Sequence, residues 1–401
     1  MPNARDHAVQ VGRQTLRERP FDELDSLILS QIVYMPMEGF LDGGQETTLA
    51  ELWSYLRVAY PEGFPKDSFQ RKRYALTEAC AGQPRYSSWV LHHYINRVIP
   101  VQETQFAACC FDLPGDMVAV VFRGTDWSLA GWKEDFNMCY MTVPAQRSAV
   151  EYVKRIARLS GRALVLCGHS KGGNLAVYAA ASVDDAIQDH IRHIYNFDGP
   201  GVDEKTLHSP GYNLVRDRIQ SYMPQSSVVG LMLHHHPVYT VVRSKSLGIL
   251  QHDAMNWQVK DGSLVVMDGL DLAGRVTDET IHAWLADIDF DSRKLLVDTL
   301  YQVVAAAQVD TLSGLVEDWR DSAVKMLETL REMDPLVRKN VRHMLARLFS
   351  TGAAQVIRSI LPQSLLRPGT SGSGTTSRLA DSSLTDPIQA PAETLQSSDK
   401  G

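Results

Sequence analysis

The sequence lacks the features that would place it across a membrane, on a nucleic acid or around a metal. No apolar run in its 401 residues approaches the roughly 18 that a spanning helix needs. The formal net charge is −7 and no basic cluster offsets it, which argues against nucleic acid as a partner. Cysteine is scarce: Cys80, Cys109, Cys110, Cys139 and Cys167 are odd in number, lie mostly in apolar runs and form no Cys-x-x-Cys pair. Reduced, buried thiols in a cytoplasmic protein are therefore expected, with no disulfide framework, metal or cofactor. Met1 to Pro20 has no apolar stretch of the kind a signal peptide or anchor requires and is expected to be a flexible lead. No internal repeat is found.

What the sequence does contain is centred on Arg162-Ala163-Leu164-Val165-Leu166-Cys167-Gly168-His169-Ser170-Lys171-Gly172-Gly173-Asn174-Leu175-Ala176. An apolar run, a Gly-x-Ser-x-Gly turn and a small-residue helical pattern read in order as strand, sharp turn and helix. Such a turn lifts the serine hydroxyl clear of a sheet and tolerates almost no side chain on either flank. It also sets the backbone N–H of Lys171 at a helix N-terminus, facing any negative charge that develops there. Ser170 is thus the candidate nucleophile of an acyl transfer, and a plain Gly-rich turn is the ordinary alternative.

Upstream, Phe106 to Phe111 and Met117 to Phe122 are joined by a Leu-Pro-Gly-Asp turn and predict a β-hairpin. The second strand ends at Arg123-Gly124-Thr125, where Gly124 and Thr125 either supply a second oxyanion donor or merely close a turn. Downstream, short strands are expected at 193–197, 218–224 and 239–242, with a two-residue Asp261-Gly262 hairpin turn after them. Phe21 to Leu41 predicts a helix, residues 42–100 read as helical packing, and 148–159 reads as a helix. Strands alternating with helices argue a mostly parallel sheet with helices on both faces, an α/β class fold. The core is placed at 21–275. Residues 276–365 carry Leu, Val, Ile and Met at helical spacing and predict a helical cap or bundle. The Ser, Thr, Gly and Pro beyond 366 predict a disordered tail. Val341 to Leu366 sets apolar positions against Arg342, Arg347 and Arg358. Packing within the cap is its expected use, and contact with a membrane surface is the alternative.

These motifs, Val-Val-Phe-Arg-Gly-Thr, Gly-His-Ser-Lys-Gly-Gly, Phe197-Asp198-Gly199-Pro200-Gly201 and a late His252, resemble those of the class 3 lipase group of α/β-hydrolases. The chain is most similar there to a bacterial branch of lipase-like domains of unknown function. The resemblance spans about residues 21 to 260. It implies an α/β-hydrolase fold, Ser170 as nucleophile, an oxyanion hole from Gly124, Thr125 and the Lys171 N–H, and His252 as general base. Two departures stand out. The group usually carries Leu where this chain has Lys171, and it carries its triad acid in an Asp-x-Val-Pro stretch that here reads Ser227-Val228-Val229-Gly230.

A serine hydroxyl needs an imidazole to take its proton. Of thirteen histidines, His252 follows the last predicted strand, where the order serine, acid, histidine would deliver it. His169 should point into the core. The run His234-His235-His236 alternates faces, and no Glu-x-x-His helix accompanies it, so a metal site is not expected. For the acid, Asp198 ends the strand after the elbow helix and can reach an imidazole, whereas Asp253 is too close in sequence to His252 to orient it well. The expected function is hydrolysis of a carboxylic ester, with a lipid or other acyl ester as the expected substrate class. A thioesterase or peptidase is a variant of the same chemistry. The rival class is a catalytically weak or inactive hydrolase fold used as a binding module.

Overall fold

The computed structural model describes residues 1–279 apart from 42–43, 62–67, 100–103, 126–137, 139–141, 233–234, 273 and 276–277, together with Pro335. The expected cap at 276–365 and tail at 366–401 therefore lie almost wholly outside the described residues, as does Cys139.

Helices α1 (Ala4–Val11) and α2 (Glu23–Ile32) come first, followed by strand β1 (Glu46–Thr48) and helices α3 (Leu49–Ala59), α4 (Ser68–Ala81) and α5 (Pro84–Ser87). Strands β2 (Val90–Ile99), β3 (Thr104–Leu113) and β4 (Met117–Phe122) precede helix α6 (Pro144–Ser160). Next come β5 (Ala163–His169), α7 (Lys171–Ser182), α8 (Asp185–Gln188), β6 (Ile191–Phe197), α9 (Glu204–Leu207), α10 (Pro210–Val215), β7 (Ile219–Pro224) and β8 (Tyr239–Val242). The eight strands form one sheet in sequential order. β1 to β4 pair antiparallel, and β4 to β8 pair parallel. A separate two-stranded hairpin, β9 (Val259–Lys260) and β10 (Ser263–Leu264), turns through Asp261 and Gly262, both at positive φ.

Side-chain alternation divides the interior into two layers. Val118, Val120 and Phe122 of β4 and Leu164 and Leu166 of β5 meet α6, α7 and α10 on one face. Ala119, Val121, Val165 and Cys167 meet α1 to α4 on the other. This is the α/β-hydrolase architecture, with the C-terminal ends of β4 to β8 along one rim of the sheet. The described cysteines, 80, 109, 110 and 167, are buried and unbridged.

Two expectations are corrected. Residues 42–100 are not helical packing alone, because β1 and β2 extend the sheet there. The register of β2 slips between His92 and Ile95, where His93 takes φ 53°. Leu91 and His92 are consecutive and both buried, so the period-two signal of a strand is broken at the bulge. Residues 1–20 are not merely a flexible lead either. Asn3 and Asp6 form a capping box on α1, whose Ala4, Ala8 and Val11 join the core. The Asn3 amide also donates to the Met255 carbonyl at 3.1 Å, and Val259 N–H donates to the Pro2 carbonyl at 2.8 Å.

His7 on α1 is fully buried, and among the described residues neither ring nitrogen has a hydrogen-bond partner. Burial, followed by nearby Arg19, lowers its pKa from 6.5 to about 4. The unfolded chain takes up this proton near pH 6.5 and the folded chain only near 4, so acidification across that window favours unfolding. The loss reaches roughly 3 kcal/mol at its acid end and is nil above the window. His7→Leu should therefore flatten the decline of Tm between about pH 6.5 and 4.5 relative to the parent protein. Parallel declines would show that this imidazole titrates normally.

Candidate active site

The turn after β5 has the required geometry. Ser170 sits at φ 59° and ψ −134°, a conformation that L residues adopt at a cost of about 1–3 kcal/mol and that the surrounding packing must enforce. That packing is close. A Cβ on Gly172 would lie 2.2 Å from the Phe122 carbonyl oxygen, so β4 can pass beside the elbow only because residue 172 has no side chain. Gly124, buried at the end of β4, lies against the same turn: a Cβ there would be 3.1 Å from Ser170 Cβ and 2.6 Å from the His169 carbonyl oxygen. The Gly124-Thr125 segment is thus beside the serine, with Thr125 half-buried. Lys171 opens α7 and is buried, with 1% of the residue exposed.

Asp198 and His252 meet. Asp198 follows β6 with φ 50°, donates its own N–H to the Tyr222 carbonyl at 2.7 Å, and has a fully buried side chain. Its Oδ2 accepts from His252 Nδ1 at 2.7 Å. With Nδ1 carrying the proton, a neutral His252 has Nε2 as its basic atom. The other carboxylate oxygen accepts from the Ser227 hydroxyl at 2.5 Å, and Ser227 Oγ in turn accepts the Gly230 N–H at 3.0 Å. The stretch that lacks the expected aspartate therefore still serves the site: Ser227 holds a carboxylate that comes from the neighbouring strand.

His252 lies at the end of a 3-10 turn, Gly248–His252, and is anchored from several sides. His169, 3% exposed and pointing inward as expected, donates from Nε2 to the His252 carbonyl at 2.7 Å. Asp253 is committed elsewhere, to Lys72 Nζ at 2.5 Å and to the Met255 N–H at 3.1 Å. Trp257 Nε1 donates to the Gln251 carbonyl at 2.8 Å. The His169 and His252 rings stand 4.7 Å apart, centroid to centroid. The serine–histidine contact itself is not made. Among the described residues, no hydrogen bond joins the Ser170 hydroxyl to His252 or to a backbone N–H of α7. Catalytic hydrogen bonds are often long without substrate and tighten only when it binds.

Beside the elbow, Arg123 Nη2 donates to Asn96 Oδ1 at 2.9 Å, and Glu38 accepts from Tyr94 at 2.8 Å and from Asn96. Burial works to raise the Glu38 pKa, but hydrogen bonds from its own backbone, Tyr94 and Asn96 outweigh it and leave the carboxyl below its usual value. This network holds the strand end that leads into Gly124. Sequence reading missed it, along with Ser227, Lys72 and Tyr34, because each acts across a long sequence separation without a local motif. No group of metal-ligating side chains occurs among the described residues. His236 Nδ1 is bonded to the Tyr212 hydroxyl at 2.7 Å, and His235 packs edge-on against Tyr239.

Comparison with known proteins gives the family. No curated protein matches the chain in sequence. Similar solved structures include a fungal lipase in an inhibitor complex used to model interfacial activation, at 11% identity and TM-score 0.31, covering 51% of this chain and 84% of the lipase. A triacylglycerol lipase from Penicillium expansum aligns at 11% identity and TM-score 0.26, over 45% and 81% of the two chains. The N225Q form of MDLA from Penicillium cyclopium aligns at 12% identity and TM-score 0.34, over 63% and 87%. Likeness at this level carries no argument about chemistry. The match to a sequence family is more extensive, running over residues 80–302 and so including Gly124, Ser170, Asp198 and His252. Since that is more than half of the sequence, the chain belongs to the Mbeg1-like family.

Proposed function

We propose that the protein is a serine hydrolase acting on a carboxylic ester, through an acyl-enzyme on Ser170. One observation carries this reading: the Asp198–His252 pair at 2.7 Å, held beside a nucleophile elbow. In the reaction, His252 Nε2 takes the Ser170 proton as Oγ bonds to the ester carbonyl carbon. The negative charge on the carbonyl oxygen is stabilised by the Lys171 N–H and the Gly124-Thr125 segment. Asp198 keeps the proton on Nδ1 and balances the imidazolium. The carbon–oxygen bond then breaks, His252 protonates the departing alcohol, and water repeats the sequence to release the acid. Leu247 and Leu250, 80% and 54% exposed on the segment leading to His252, offer apolar surface to an acyl chain. A lipid or other acyl ester is accordingly the preferred substrate class. The same machinery would open a thioester or an amide.

The unmade Ser170–His252 bond favours one rival, a binding module with the shape of a hydrolase and little turnover. A fluorophosphonate probe separates the two. The hydrolase should be labelled on Ser170, with Ser170→Ala and His252→Ala each abolishing label and short-chain ester hydrolysis. Folded protein that stays unlabelled at Ser170 would sink the enzymatic reading and leave the binding module.

A further inference from the structure

We infer that His169, the residue before the nucleophile, positions the base: its Nε2–H holds the main chain of His252, with the Tyr34 hydroxyl beside its Nδ1. The inference rests on the roles proposed for Ser170 and His252.

A carbonyl oxygen can only accept, so the 2.7 Å contact between His169 Nε2 and the His252 carbonyl requires the proton on Nε2. In a neutral ring Nδ1 is then an acceptor, and the Tyr34 hydroxyl stands 3.4 Å from it and 3.5 Å from the His169 main-chain carbonyl, with one hydrogen to give to either. Tyr34 is itself clamped. The Arg73 guanidinium lies 3.6 Å from the centre of its ring, and Arg73 Nε donates to Gln31 Oε1 at 3.1 Å. The charged and titratable groups facing the imidazole are Arg73 on α4, Tyr34 just after α2, and His252. Burial first, then His252 and Arg73, holds the His169 pKa well below its ordinary value. The ring is therefore neutral near pH 7.

That neutrality has a use. The base becomes an imidazolium during each acyl transfer, 4.7 Å from the His169 ring, and a second charged imidazole there would oppose it. His252 also sits in a short 3-10 turn outside the sheet ladder, so its aim depends on side-chain anchors. His169 ties that turn directly to the strand that ends at Ser170. One buried donor thus couples the placement of nucleophile and base.

The test compares three variants of the full-length protein by the rate at which a fluorophosphonate labels Ser170, separating probe affinity from the bond-forming step. His169→Gln keeps an amide N–H near the position of Nε2 and should label within about threefold of the parent, whereas His169→Leu, of similar size but without a donor, should lose at least about tenfold. The loss should fall on the bond-forming step and not on affinity. Tyr34→Phe should fall between the two. Equal rates for the Gln and Leu variants, whether both slow or both fast, would overturn the positioning role, since shape alone would then account for the site. Nitrogen-15 histidine spectra give a second readout: His169 should show a protonated Nε2 and a bare Nδ1 unchanged from about pH 6.5 to 8. A His169 that titrates in that range overturns the inference. If the parent protein takes no label, the hydrolase reading falls instead, and the spectra still report whether the contact exists.

Discussion

Asp198→Asn is expected to reduce ester hydrolysis by at least about 100-fold with the fold intact, and the cause is the direction in which the new amide must point. Ser227 Oγ accepts the Gly230 N–H and donates its own hydrogen toward residue 198. An asparagine there would turn its carbonyl to Ser227 and its NH2 to His252. Nδ1 would then have to accept, the proton would move to Nε2, and the base would have no lone pair left for Ser170. Removing Ser227 should release that constraint. Ser227→Ala in the Asp198→Asn background is therefore expected to regain activity over the single variant, although Ser227→Ala alone should lose a few-fold through the missing hydrogen bond. Steady-state kcat/KM on a short-chain ester, with circular dichroism as the check on folding, measures all three. Full activity in Asp198→Asn would remove that residue from the catalytic set. A double variant no better than the single would leave Asp198 in place and reject the orientation argument.

The largest expected loss of stability concerns an ion pair that is not part of the candidate site. Arg85 and Asp25 have fully buried side chains and meet in two parallel contacts, Nη2 to Oδ2 at 2.5 Å and Nε to Oδ1 at 3.1 Å. The same guanidinium caps the Gln14 and Arg19 carbonyls at 3.2 and 3.0 Å. Asp25→Ala would leave that cation buried and uncompensated, a cost of about 3–5 kcal/mol against a total stability of about 5–15 kcal/mol for an ordinary domain. Urea unfolding followed by fluorescence should show a correspondingly lower midpoint. The double variant Asp25→Leu with Arg85→Met should be less damaged than Asp25→Ala alone, since no charge is then stranded. Additive losses would mean that solvent reaches the pair in the folded state.

The fold class and the local features of the candidate site were legible in the sequence, and several surrounding elements were not. The elbow is legible because its requirements are local: a glycine on each side, an apolar strand before and a small-residue helix after. The hairpin of β3 and β4 is legible for the same reason, since Leu113 pairs with Met117 across a turn whose Gly115 and Asp116 take positive φ. Asp198 could be selected because strand order fixes which chain ends lie on the rim. β2 was hidden by its bulge at His93, and α1 by composition, since its few apolar residues suffice only because the core receives them. Ser227 shows the limit most clearly. As a sequence position it reads as a lost acid, and only the fold shows that the carboxylate it supports arrives from β6.

Sequential strand order also bears on synthesis. Among the described strands none has to be inserted between two already paired, so the sheet they form can grow at one edge as the polypeptide emerges. The elbow would form early in that process, while His252 would still be unmade. Residues 2 and 3 would remain unanchored even longer, until 255 and 259 arrive to bind them. Nascent protein would thus carry the elbow serine for about eighty residues of elongation before the histidine that pairs with Asp198 is made.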